Sequence, residues 1–469
     1  MSRESRGDCK MINAKNLLAK LPPTDKDFSK PCPPPQDLVI VVLDDDPTGT
    51  QTVHDVLVIT QWTVEILTEA FQEPIFYVLT NSRSLSNEEA YNLVGEICRS
   101  LARTADELKK QLLIITRGDS TLRGHFLTET QAVVDHLFLK QTLIAFVPAF
   151  FEGGRYTIEN VHYVQEGDRL IPVSETPFAE DKTFGFNCSN LYEYIIEKDN
   201  SIDRTTIFDL SIDEIRADTT DQLLAKILDH KNKKYLNINA TDQSDLNKVA
   251  KVLTGFPALG NNLLIRSAAS LVPSMAGIDL KPALSVDQMS LPAGQGLIVV
   301  GSYVPKSTNQ LKYLLEHNQL SAHEIDVTLL SGARKNHYIG LCADAISRSM
   351  NKGNDCVVFT SRKLQSGQNA EMSLQIVNEV ANGINSIISG LKQAPSFLIA
   401  KGGITSSDIA TKVLNIKKAR VMGQLLAGVP VWKPSEHSKF PDMPYIIFPG
   451  NVGNEDSLSL AYRKMKMTH

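Results

Sequence analysis

Short apolar runs alternate with amphipathic helical stretches along most of the chain from residue 37 onward. Apolar runs of about 4–8 residues bounded by turn signals are typical of buried strands, and their alternation with helices indicates parallel strands joined by crossovers. The pattern therefore predicts an α/β fold. In the N-terminal half the predicted strands are 38–43, 75–79, 112–116, 143–147, 206–210 and 236–238, and the predicted helices are 87–104, 127–138, 219–231 and 243–254.

Proline and glycine interrupt the pattern at 282–296 and indicate a domain boundary there. Beyond it, the predicted strands are 297–300, 356–360, 397–400 and 445–448, and the predicted helices are 306–316 and 370–391. Because 469 residues exceed what one hydrophobic core usually supports, we expect more than one domain. The prediction is two doubly wound domains with mainly parallel sheets and a cleft between them. Their predicted bounds are 37–285 and 286–469, after an N-terminal extension, 1–36, with an amphipathic segment and a proline-rich spacer.

Composition narrows the class of protein. Hydrophobic residues make up 42% of the chain and charged residues 22%, as in an ordinary globular protein. A net charge of −5 without a Lys/Arg-rich run argues against nucleic acid as a partner. No apolar stretch approaches the roughly 20 residues of a membrane span, and the N-terminus lacks the apolar core of a secretory signal. We therefore expect a cytoplasmic protein without a membrane partner; a homodimer is left open.

The six cysteines are scattered and form no CxxC pair. Disulfide frameworks and zinc sites have regular cysteine spacings, whereas scattered cysteines are typical of reduced thiols in a cytosolic protein. The sequence therefore predicts neither a disulfide scaffold nor a zinc site.

Acidic residues follow the first predicted strand directly. Residues 44–49 read Asp-Asp-Asp-Pro-Thr-Gly and stand where open α/β sheets bind ligands. Adjacent carboxylates repel one another unless a cation or a hydroxyl donor is near. One carboxylate of Asp45 and Asp46 could orient or deprotonate an attacking hydroxyl, and another could bind Mg²⁺. A solvated acidic turn is about as compatible with these residues alone.

Polar residues also close the next strands. Arg83 follows the second predicted strand and Arg117 ends the third, so their guanidinium groups could hold a carboxylate while neighbouring polar groups bind sugar hydroxyls. Alternatively, Asp119 caps the next helix and both arginines lie on the surface. After the fourth strand, a glycine pair precedes Arg155, which could face the site or belong to a plain loop. The predicted substrate-binding residues are Asn81, Ser82, Arg83, Arg117, Gly118, Asp119, Ser120, Thr121, Arg123 and Arg155.

Three predicted strands of the second half end in glycine turns, at 301–302, 402–403 and 449–454. Exposed amides at such turns and the positive end of a helix attract phosphate. The Walker A pattern GxxxxGK[ST] does not occur in the sequence. Three such turns in one domain favour nucleotide binding. The predicted nucleotide-binding residues are Ser302, Gly402, Gly403, Thr405, Gly450, Asn451 and Gly453.

From about residue 38 to 457 the chain resembles the four-carbon acid sugar kinase family. The matching motifs are Asp-Asp-x-Thr-Gly at 45–49, Asp-Ser-Thr-Leu-Arg-Gly at 119–124, Gly-Arg-x-Thr at 154–157, Glu-Thr-x-x-x-x-Asp at 175–181, Gly-Ser at 301–302 with Gln310, Gly-Gly-Ile-Thr at 402–405 and Gly-Asn-Val-Gly at 450–453. The chain departs from many members at 116–118, where they carry Lys-Lys-x, and at His125, where they carry Asn.

The resemblance implies an N-terminal substrate domain and a C-terminal ATP domain that together phosphorylate a tetronate such as threonate, erythronate or 3-oxo-tetronate. We accordingly expect a small sugar acid as substrate, ATP and Mg²⁺ as cofactors, and catalytic roles for Asp45 and Asp46, with the metal ligands unassigned.

An NAD(P)-dependent hydroxy-acid dehydrogenase is disfavoured, because no GxGxxG follows a predicted strand. A non-catalytic ligand-binding effector on a kinase scaffold stays open.

Overall fold

The computed structural model describes residues 12–137, 141–302, 304–361 and 370–466, with the backbone alone over 370–377. The described residues divide into two compact units. The first unit comprises those within 1–45, 63–76 and 85–280, and the second those within 46–62, 77–84 and 281–469. Two short segments from the N-terminal half of the sequence therefore belong to the second unit.

The described residues form strands and helices with the following bounds. The strands are β1 Ile12–Asn13, β2 Leu38–Asp44, β3 Val56–Ile59, β4 Ile75–Leu79, β5 Gln111–Arg117, β6 Thr142–Val147, β7 Arg155–Ile158, β8 Val161–Glu166, β9 Arg169–Pro172, β10 Ile207–Leu210, β11 Tyr235–Ile238, β12 Asn262–Ser267, β13 Leu297–Val300, β14 Ser321–Ile325, β15 Cys356–Thr360, β16 Leu398–Lys401, β17 Lys418–Leu426, β18 Val429–Pro434 and β19 Tyr445–Phe448. The helices are α1 Ala14–Leu18, α2 Val64–Ala70, α3 Asn87–Leu108, α4 Phe126–His136, α5 Leu191–Lys198, α6 Ile212–Ala217, α7 Thr220–Asp229, α8 Gln243–Ala258, α9 Leu271–Ala276, α10 Pro305–His317, α11 Lys335–Asn351, α12 Ala370–Ser389, α13 Gly403–Asp408 and α14 Ser457–Lys466. Short 3₁₀ helices cover Lys26–Phe28, Pro47–Thr52, Ser82–Ser84, Phe151–Gly153, Val173–Glu175, Pro177–Glu180, Arg204–Thr206, Val286–Gln288 and Val327–Leu330, and a π-helical turn, Ile409–Val413, extends α13.

The first unit contains a parallel sheet with the strand order β10-β11-β6-β12-β5-β2. Every residue of β2 is buried, which explains its unbroken apolar sequence, since strands of parallel sheets are covered on both faces. A smaller antiparallel sheet follows the order β1-β9-β8-β7. The carboxyl ends of β2, β5 and β6 lead into the acidic, Asp-Ser-Thr and Gly-Arg segments.

The second unit has the strand order β3-β17-β18-β19-β16-β13-β15-β14. The five strands from β19 to β14 are parallel, whereas β3, β17 and β18 pair in antiparallel fashion. Its apolar core includes Val300, Ile399 and Phe448, at or near the ends of three neighbouring parallel strands. The predicted α/β class with mainly parallel strands is confirmed, with antiparallel additions that the sequence pattern did not predict.

The predicted elements agree closely with the observed ones. The strands predicted at 75–79, 297–300, 356–360 and 445–448 have the observed bounds, and the others differ by one residue at one or both ends. The helix predicted at 127–138 ends at His136, and the last residue of that prediction lies outside the described residues. The unpredicted strands include β12 and the antiparallel pair of β17 and β18.

In the described ranges no helix is long and apolar enough to cross a membrane. The five described cysteines are free thiols.

The described part of the predicted extension packs on the first unit. Its strand β1 pairs with β9, and Leu17, Leu18 and Leu21 pack on an apolar cluster that includes Leu170. Further along, Asp25 Oδ2 accepts a hydrogen bond of 2.8 Å from Nζ of Lys248 in α8, whose side chain is only 3% exposed. This bond is the main reason that the pKa of Asp25 lies below its ordinary value. The segment is therefore fastened by both apolar and ionic contacts.

The Asp25–Lys248 pair yields a stability prediction. Asp25→Ala should leave the buried ammonium of Lys248 without its carboxylate and lower the free energy of unfolding by about 1–3 kcal/mol. The double variant Asp25→Ala/Lys248→Met should recover much of this loss, because no unpaired charge then remains. Urea unfolding checks both, with Asp27→Ala, at an exposed position nearby, as the control. An Asp25→Ala protein as stable as the control would contradict the prediction.

Candidate functional site

Three parallel strands of the second unit end at the same level. Val300 of β13 pairs with Lys401 of β16, which in turn pairs with Phe448 of β19. The next residues are Gly301, Gly402 and Pro449, so the three predicted glycine turns begin side by side. This register is what brings segments about 100 and 50 residues apart in sequence to one sheet edge.

The first two turns interlock. A Cβ at Gly301 would overlap Oγ1 of Thr405, and a Cβ at Gly402 would stand 3.2 Å from Cβ of Ser302. Gly402 also has a φ of +117°, which side-chain-bearing residues rarely adopt, and its amide donates to the Phe448 carbonyl at 2.9 Å. The predicted residues Ser302, Gly402 and Thr405 are therefore brought together, and glycine is required at 301 by close packing and favoured at 402 by its positive φ.

The third turn, residues 449–454, is fastened to the same edge. Lys401 Nζ donates to the carbonyl of Pro449 at 2.6 Å. From α10, Lys306 Nζ donates to the carbonyl of Asn451 at 3.1 Å, and Gln310 Nε2 donates to that of Val452 at 3.0 Å. Gly450, Asn451 and Gly453 thus belong to a turn held next to the other two, as the predicted nucleotide site requires.

One predicted catalytic acid lies beside these turns. Asp46 belongs to the second unit, and its Oδ2 would stand 3.0 Å from a Cβ at Gly403. Its Oδ1 accepts from the Thr48 amide at 2.8 Å, which caps the 3₁₀ helix Pro47–Thr52. Trp432 Nε1 donates to Thr50 Oγ1 at 2.9 Å, and Trp432 is completely buried, so the acidic turn is anchored in the core of this unit.

Arg83 lies next to the same carboxylate. Its Nη1 is 3.4 Å from Asp46 Oδ2, and both side chains are partly exposed. Asn81 has a φ of +52°, and the buried Ser82 bonds through its hydroxyl to Thr80 Oγ1 at 3.0 Å. The turn after β4 is thus a fixed loop that places a guanidinium group beside Asp46. Binding of substrate by Asn81, Ser82 and Arg83 stays a prediction.

The other two acids face a buried arginine in the first unit. Arg117 Nε donates to Asp44 Oδ1 at 2.6 Å, and its Nη2 is 3.5 Å from Asp45 Oδ1. The three side chains are at most 4% exposed. Arg117 Nη1 also donates to the Gly118 carbonyl at 3.2 Å. This geometry favours a role for Arg117 in orienting Asp44 and Asp45 over the predicted role as a clamp on the substrate carboxylate.

The Asp-Ser-Thr segment and the Gly-Arg segment meet at one aromatic ring. Asp119 Oδ2 accepts from the Thr121 amide at 3.2 Å and from Arg123 Nε at 2.9 Å. The guanidinium carbon of Arg123 lies 5.0 Å from the centre of the Phe178 ring, and that of Arg155 lies 5.8 Å from it. Phe178 belongs to the Glu-Thr-x-x-x-x-Asp stretch, so three of the family motifs converge here.

Arg155 has unused hydrogen-bonding capacity. Its Nη1 donates to the Gly153 carbonyl, but its buried Nε has no hydrogen-bond partner in the described part of the chain. Burial is the main cause that lowers the pKa of Arg155, with Asp119 acting in the opposite sense. A half-buried guanidinium group without a carboxylate partner is suited to receive an anionic ligand.

Two residues that support this site were missed in the sequence. His162 is buried, and its Nε2 lies 2.8 Å from the Ser120 carbonyl and its Nδ1 3.0 Å from Thr157 Oγ1. Burial lowers the pKa of His162 to about 4, so the ring is neutral and can donate from one nitrogen to hold the Ser120 carbonyl. No local sequence signal distinguishes this histidine from a surface one.

Arg266 is the second missed residue. It is the second-to-last residue of β12, bonds to the buried Glu129, and lies so close to Gly118 that a Cβ there would overlap its guanidinium group. At Gly124, with a φ of +106°, a Cβ would stand 3.5 Å from Arg266 Nη2. Its signal was the apolar run that it follows, the same signal that marked the other strand ends.

His125, where the chain departs from many family members, has a structural role, because its ring bonds to Asn87 at 2.7 Å and to the Leu85 carbonyl at 3.0 Å.

The donor set decides which metal this chain could bind. Within the described ranges no three His, Cys, Asp or Glu side chains cluster in a way that could hold a metal ion alone. Mg²⁺ is usually bound by one or two carboxylates together with water and substrate phosphates, so a complete protein cage is not needed. Asp46, placed against the Gly402–Gly403 turn, fits such a single-carboxylate site.

Comparison with known proteins is consistent with this arrangement. Residues 40–275 match the family model for a sugar-binding N-terminal domain, and residues 297–458 match the model for a nucleotide-binding C-terminal domain. The chain belongs to the four-carbon acid sugar kinase family.

The individual proteins that resemble this chain have low sequence identity to it. The chain is 29% identical over 150 residues to a D-erythronate kinase from Heliobacterium modesticaldum, an alignment that covers 30% of this chain and about a third, 32%, of that kinase. A Haemophilus influenzae protein of the DUF1537 family shares the fold with a TM-score of 0.62 and 18% identity, covering 91% of this chain and all of that one. A proposed tRNA synthase from Salmonella typhimurium LT2 shares it with a TM-score of 0.65 and 16% identity over 91% of this chain and 99% of the other.

Gly118 provides a test of the packing in the first unit. Gly118→Ala should force the buried Arg266 away from Glu129 and lower the free energy of unfolding by about 1–3 kcal/mol, the usual effect of overpacking. The matched control is Gly255→Ala in α8, where the nearest atom is 3.7 Å from the new Cβ, and it should be neutral or slightly stabilising. Chemical unfolding of both variants checks this. Equal stability of the two variants would show that Arg266 is not fixed as described.

Proposed function

We propose that the protein is a kinase that transfers the γ-phosphoryl group of ATP to a hydroxyl of a small four-carbon sugar acid. The observation that carries this proposal is the Asp46 carboxylate beside the Gly402–Gly403 turn, at an edge where three glycine turns begin in register. A phosphate-binding turn with a carboxylate next to it is the arrangement that phosphoryl transfer uses, since catalysis there is mainly positioning and charge neutralisation. Membership in the family and the partial likeness to a D-erythronate kinase support the same reaction.

The phosphate groups would bind to the backbone amides of the three turns and to the hydroxyl groups of Ser302 and Thr405. The close packing of Gly301 and Gly402 leaves no side chain between the backbone and the ligand. Asp46 would hold Mg²⁺, which supplies neutralisation of phosphate charge when bound. Arg83, 3.4 Å from Asp46, is a further cation beside the same carboxylate.

The sugar acid would bind to residues of the first unit. The guanidinium groups of Arg155 and Arg123 both lie beside the Phe178 ring, and Arg155 forms no ion pair with a carboxylate in the described residues. A sugar-acid carboxylate is a ligand of matching charge and shape. Asp119, Ser120 and Thr121 offer oxygen atoms for its hydroxyl groups. Asn81, Ser82 and Arg83, which belong to the second unit, remain proposed substrate-binding residues on the basis of the sequence.

The proposed chemical step is direct displacement at phosphorus. A substrate hydroxyl oxygen forms a bond to the γ-phosphorus, the bond from that phosphorus to the β,γ-bridging oxygen breaks, and ADP leaves with the electron pair. The hydroxyl proton passes to a carboxylate, for which Asp45 is the proposed acceptor because Arg117 fixes its position.

We also propose a cytoplasmic location, which the free thiols of the described cysteines support.

The substrate class is tested by measuring ADP release with Mg²⁺ and ATP across C4 acids and the corresponding neutral polyols. Erythronate, threonate and 3-oxo-tetronate should be turned over in preference to erythritol and threitol, because a desolvated guanidinium group left without a carboxylate disfavours the neutral ligand. Arg155→Met should reduce this preference through a higher KM for the acid. Equal turnover of acids and polyols by the unmodified enzyme would rule out the proposed carboxylate contact.

The role of the acids is tested by Asp45→Asn and Asp46→Asn. Each change keeps the side-chain shape but removes the charge, so kcat should fall roughly 10²-fold or more while the protein stays folded. The control is Asp442→Asn, which removes an exposed carboxylate that forms an ion pair with Lys433 in the same unit. Steady-state kinetics and thermal unfolding are measured on all three. Near-normal turnover in both acid variants would refute the assignment.

A further inference from the structure

The carbonyl groups of the turn 449–454 are held by three side chains. Lys401 Nζ donates to the carbonyls of Pro449 and Gly450, at 2.6 and 3.3 Å. Lys306 Nζ donates to the carbonyl of residue 451 at 3.1 Å, and Gln310 Nε2 donates to those of residues 452 and 454 at 3.0 and 2.7 Å. Five of the six carbonyls in this turn are thus bonded to donors beneath it.

The amides of the same turn are not used in this way. The amide of Asn454 donates to Ser457 Oγ at 2.7 Å, but in the described parts of the chain the amides of 450–453 donate to no other residue. Residues 451 and 453 are exposed. Consecutive amides on one turn that donate to no other residue of the protein are able to donate to an anion.

Lys401 is the central donor, and burying its ammonium group costs free energy. It is completely buried, lies 4.4 Å from the centre of the Phe448 ring, and forms no ion pair with a carboxylate among the described residues. Burial is the main cause that lowers its pKa to about 7, and the nearby charge of Lys306 contributes. A leucine would fill this strand end without that penalty, so the side chain is explained by the carbonyls that it binds.

Gln310 is constrained in the same way. It is completely buried, its Nε2 makes two hydrogen bonds to the turn, and its Oε1 has no partner in the described residues. The amide nitrogen must face the turn, because the opposite orientation would place an oxygen against two carbonyl oxygens. Since Lys401 and Gln310 are both buried, neither can contact a ligand on the exposed side of the turn. Any effect on ligand binding must pass through the backbone.

We propose that Lys401, together with Gln310 and Lys306, is a positioning residue that fixes the carbonyls of 449–454 so that the amides of 450–453 receive a phosphate group of the nucleotide. The inference rests on the proposed nucleotide function of the second unit. It adds two buried residues, Lys401 and Gln310, that hold the phosphate site without touching the ligand. The three donors reach the turn from β16 and α10, the elements that carry or follow the other two glycine turns.

The test compares two lysines with the same local chemistry. Lys439 also donates to two carbonyls, those of Ile388 and Ser389, and lies 5.2 Å from the centre of an aromatic ring, that of Phe440, but it makes no contact with the glycine turns. Lys401→Met and Lys439→Met therefore each remove two lysine–carbonyl bonds, from a fully buried side chain in the first case and a partly exposed one in the second. Calorimetric titration with Mg·ADP should show a dissociation constant at least about tenfold higher for Lys401→Met and nearly unchanged for Lys439→Met.

Kinetics and hydrogen exchange separate positioning from a general loss of structure. In Lys401→Met the KM for ATP should rise while the KM for the sugar acid stays nearly constant. Mg·ADP should slow amide exchange in a peptide containing 450–453 for the unmodified protein, and this protection should be largely lost in Lys401→Met. Gln310→Glu, which replaces the donor by an acceptor of the same size, should weaken ADP binding similarly and serves if Lys401→Met does not fold.

The outcomes distinguish the inference from the proposal beneath it. An unmodified protein that does not bind Mg·ADP would refute nucleotide binding itself, and the positioning role with it. Normal ADP affinity in the unmodified protein and the same affinity in folded Lys401→Met or Gln310→Glu would overturn the positioning role alone. An equal loss of affinity in Lys439→Met would also overturn it, because the effect would then be one of stability.

Discussion

The pairing register of β13, β16 and β19 is the constraint on which the second unit depends. Because Val300, Lys401 and Phe448 stand at one level, each strand delivers its glycine turn to the same edge. A slip by one residue would turn every side chain of β16 to the opposite face of the sheet and move Lys401 away from the carbonyls that it binds. The buried apolar residues of the same strands fix this register, so the core and the site are specified by one interaction.

The three consecutive acids illustrate how charge is managed. Asp44 pairs with the buried Arg117, Asp45 lies at the edge of the same guanidinium group, and Asp46 caps a 3₁₀ helix beside Arg83. Asp44 and Asp45 therefore share one guanidinium group and Asp46 lies beside another, which offsets the repulsion expected for adjacent acids. Their different surroundings also give them different tasks, because Asp44 is committed to structure whereas Asp46 is partly exposed beside a glycine turn.

The sequence predicted those elements whose burial is complete. Strands such as β2 and β13 are buried along their length and appear as continuous apolar runs, which are recognised without tertiary information. β17 was not predicted: buried and half-buried residues alternate along it, and its pairing with β18 contains irregular register shifts. β12 carries a shorter apolar run, three residues at 263–265, and only a relaxed form of the same rule would have found Arg266.

The site was predicted in part for a similar reason. Motifs that follow buried strands were found, and the structure brings together those that belong to the same unit. Partners that depend on contacts across the sequence were not found. Arg117 bonds to Asp44 from 73 positions away, and Arg266 bonds to Glu129 from 137 positions away. Guanidinium groups that the local sequence assigns to a ligand can be paired by such contacts, and the local sequence contains no sign of this pairing.

This pairing distinguishes structural cations from those available to ligands. Arg117, Arg216 and Arg266 are buried beside the buried carboxylates of Asp44, Asp45, Asp245 and Glu129, and such pairs satisfy each other within the fold. Among the described residues, Arg155 and Lys401 are buried or half-buried cations without a carboxylate partner. Asp119 and Glu166 act on the charge of Arg155 without forming an ion pair with it, and burial lowers the pKa of Lys401 to about 7. An anionic substrate beside Arg155 and an anionic nucleotide near Lys401 would each stabilise the protonated cation, so binding and local stability should be coupled at both places.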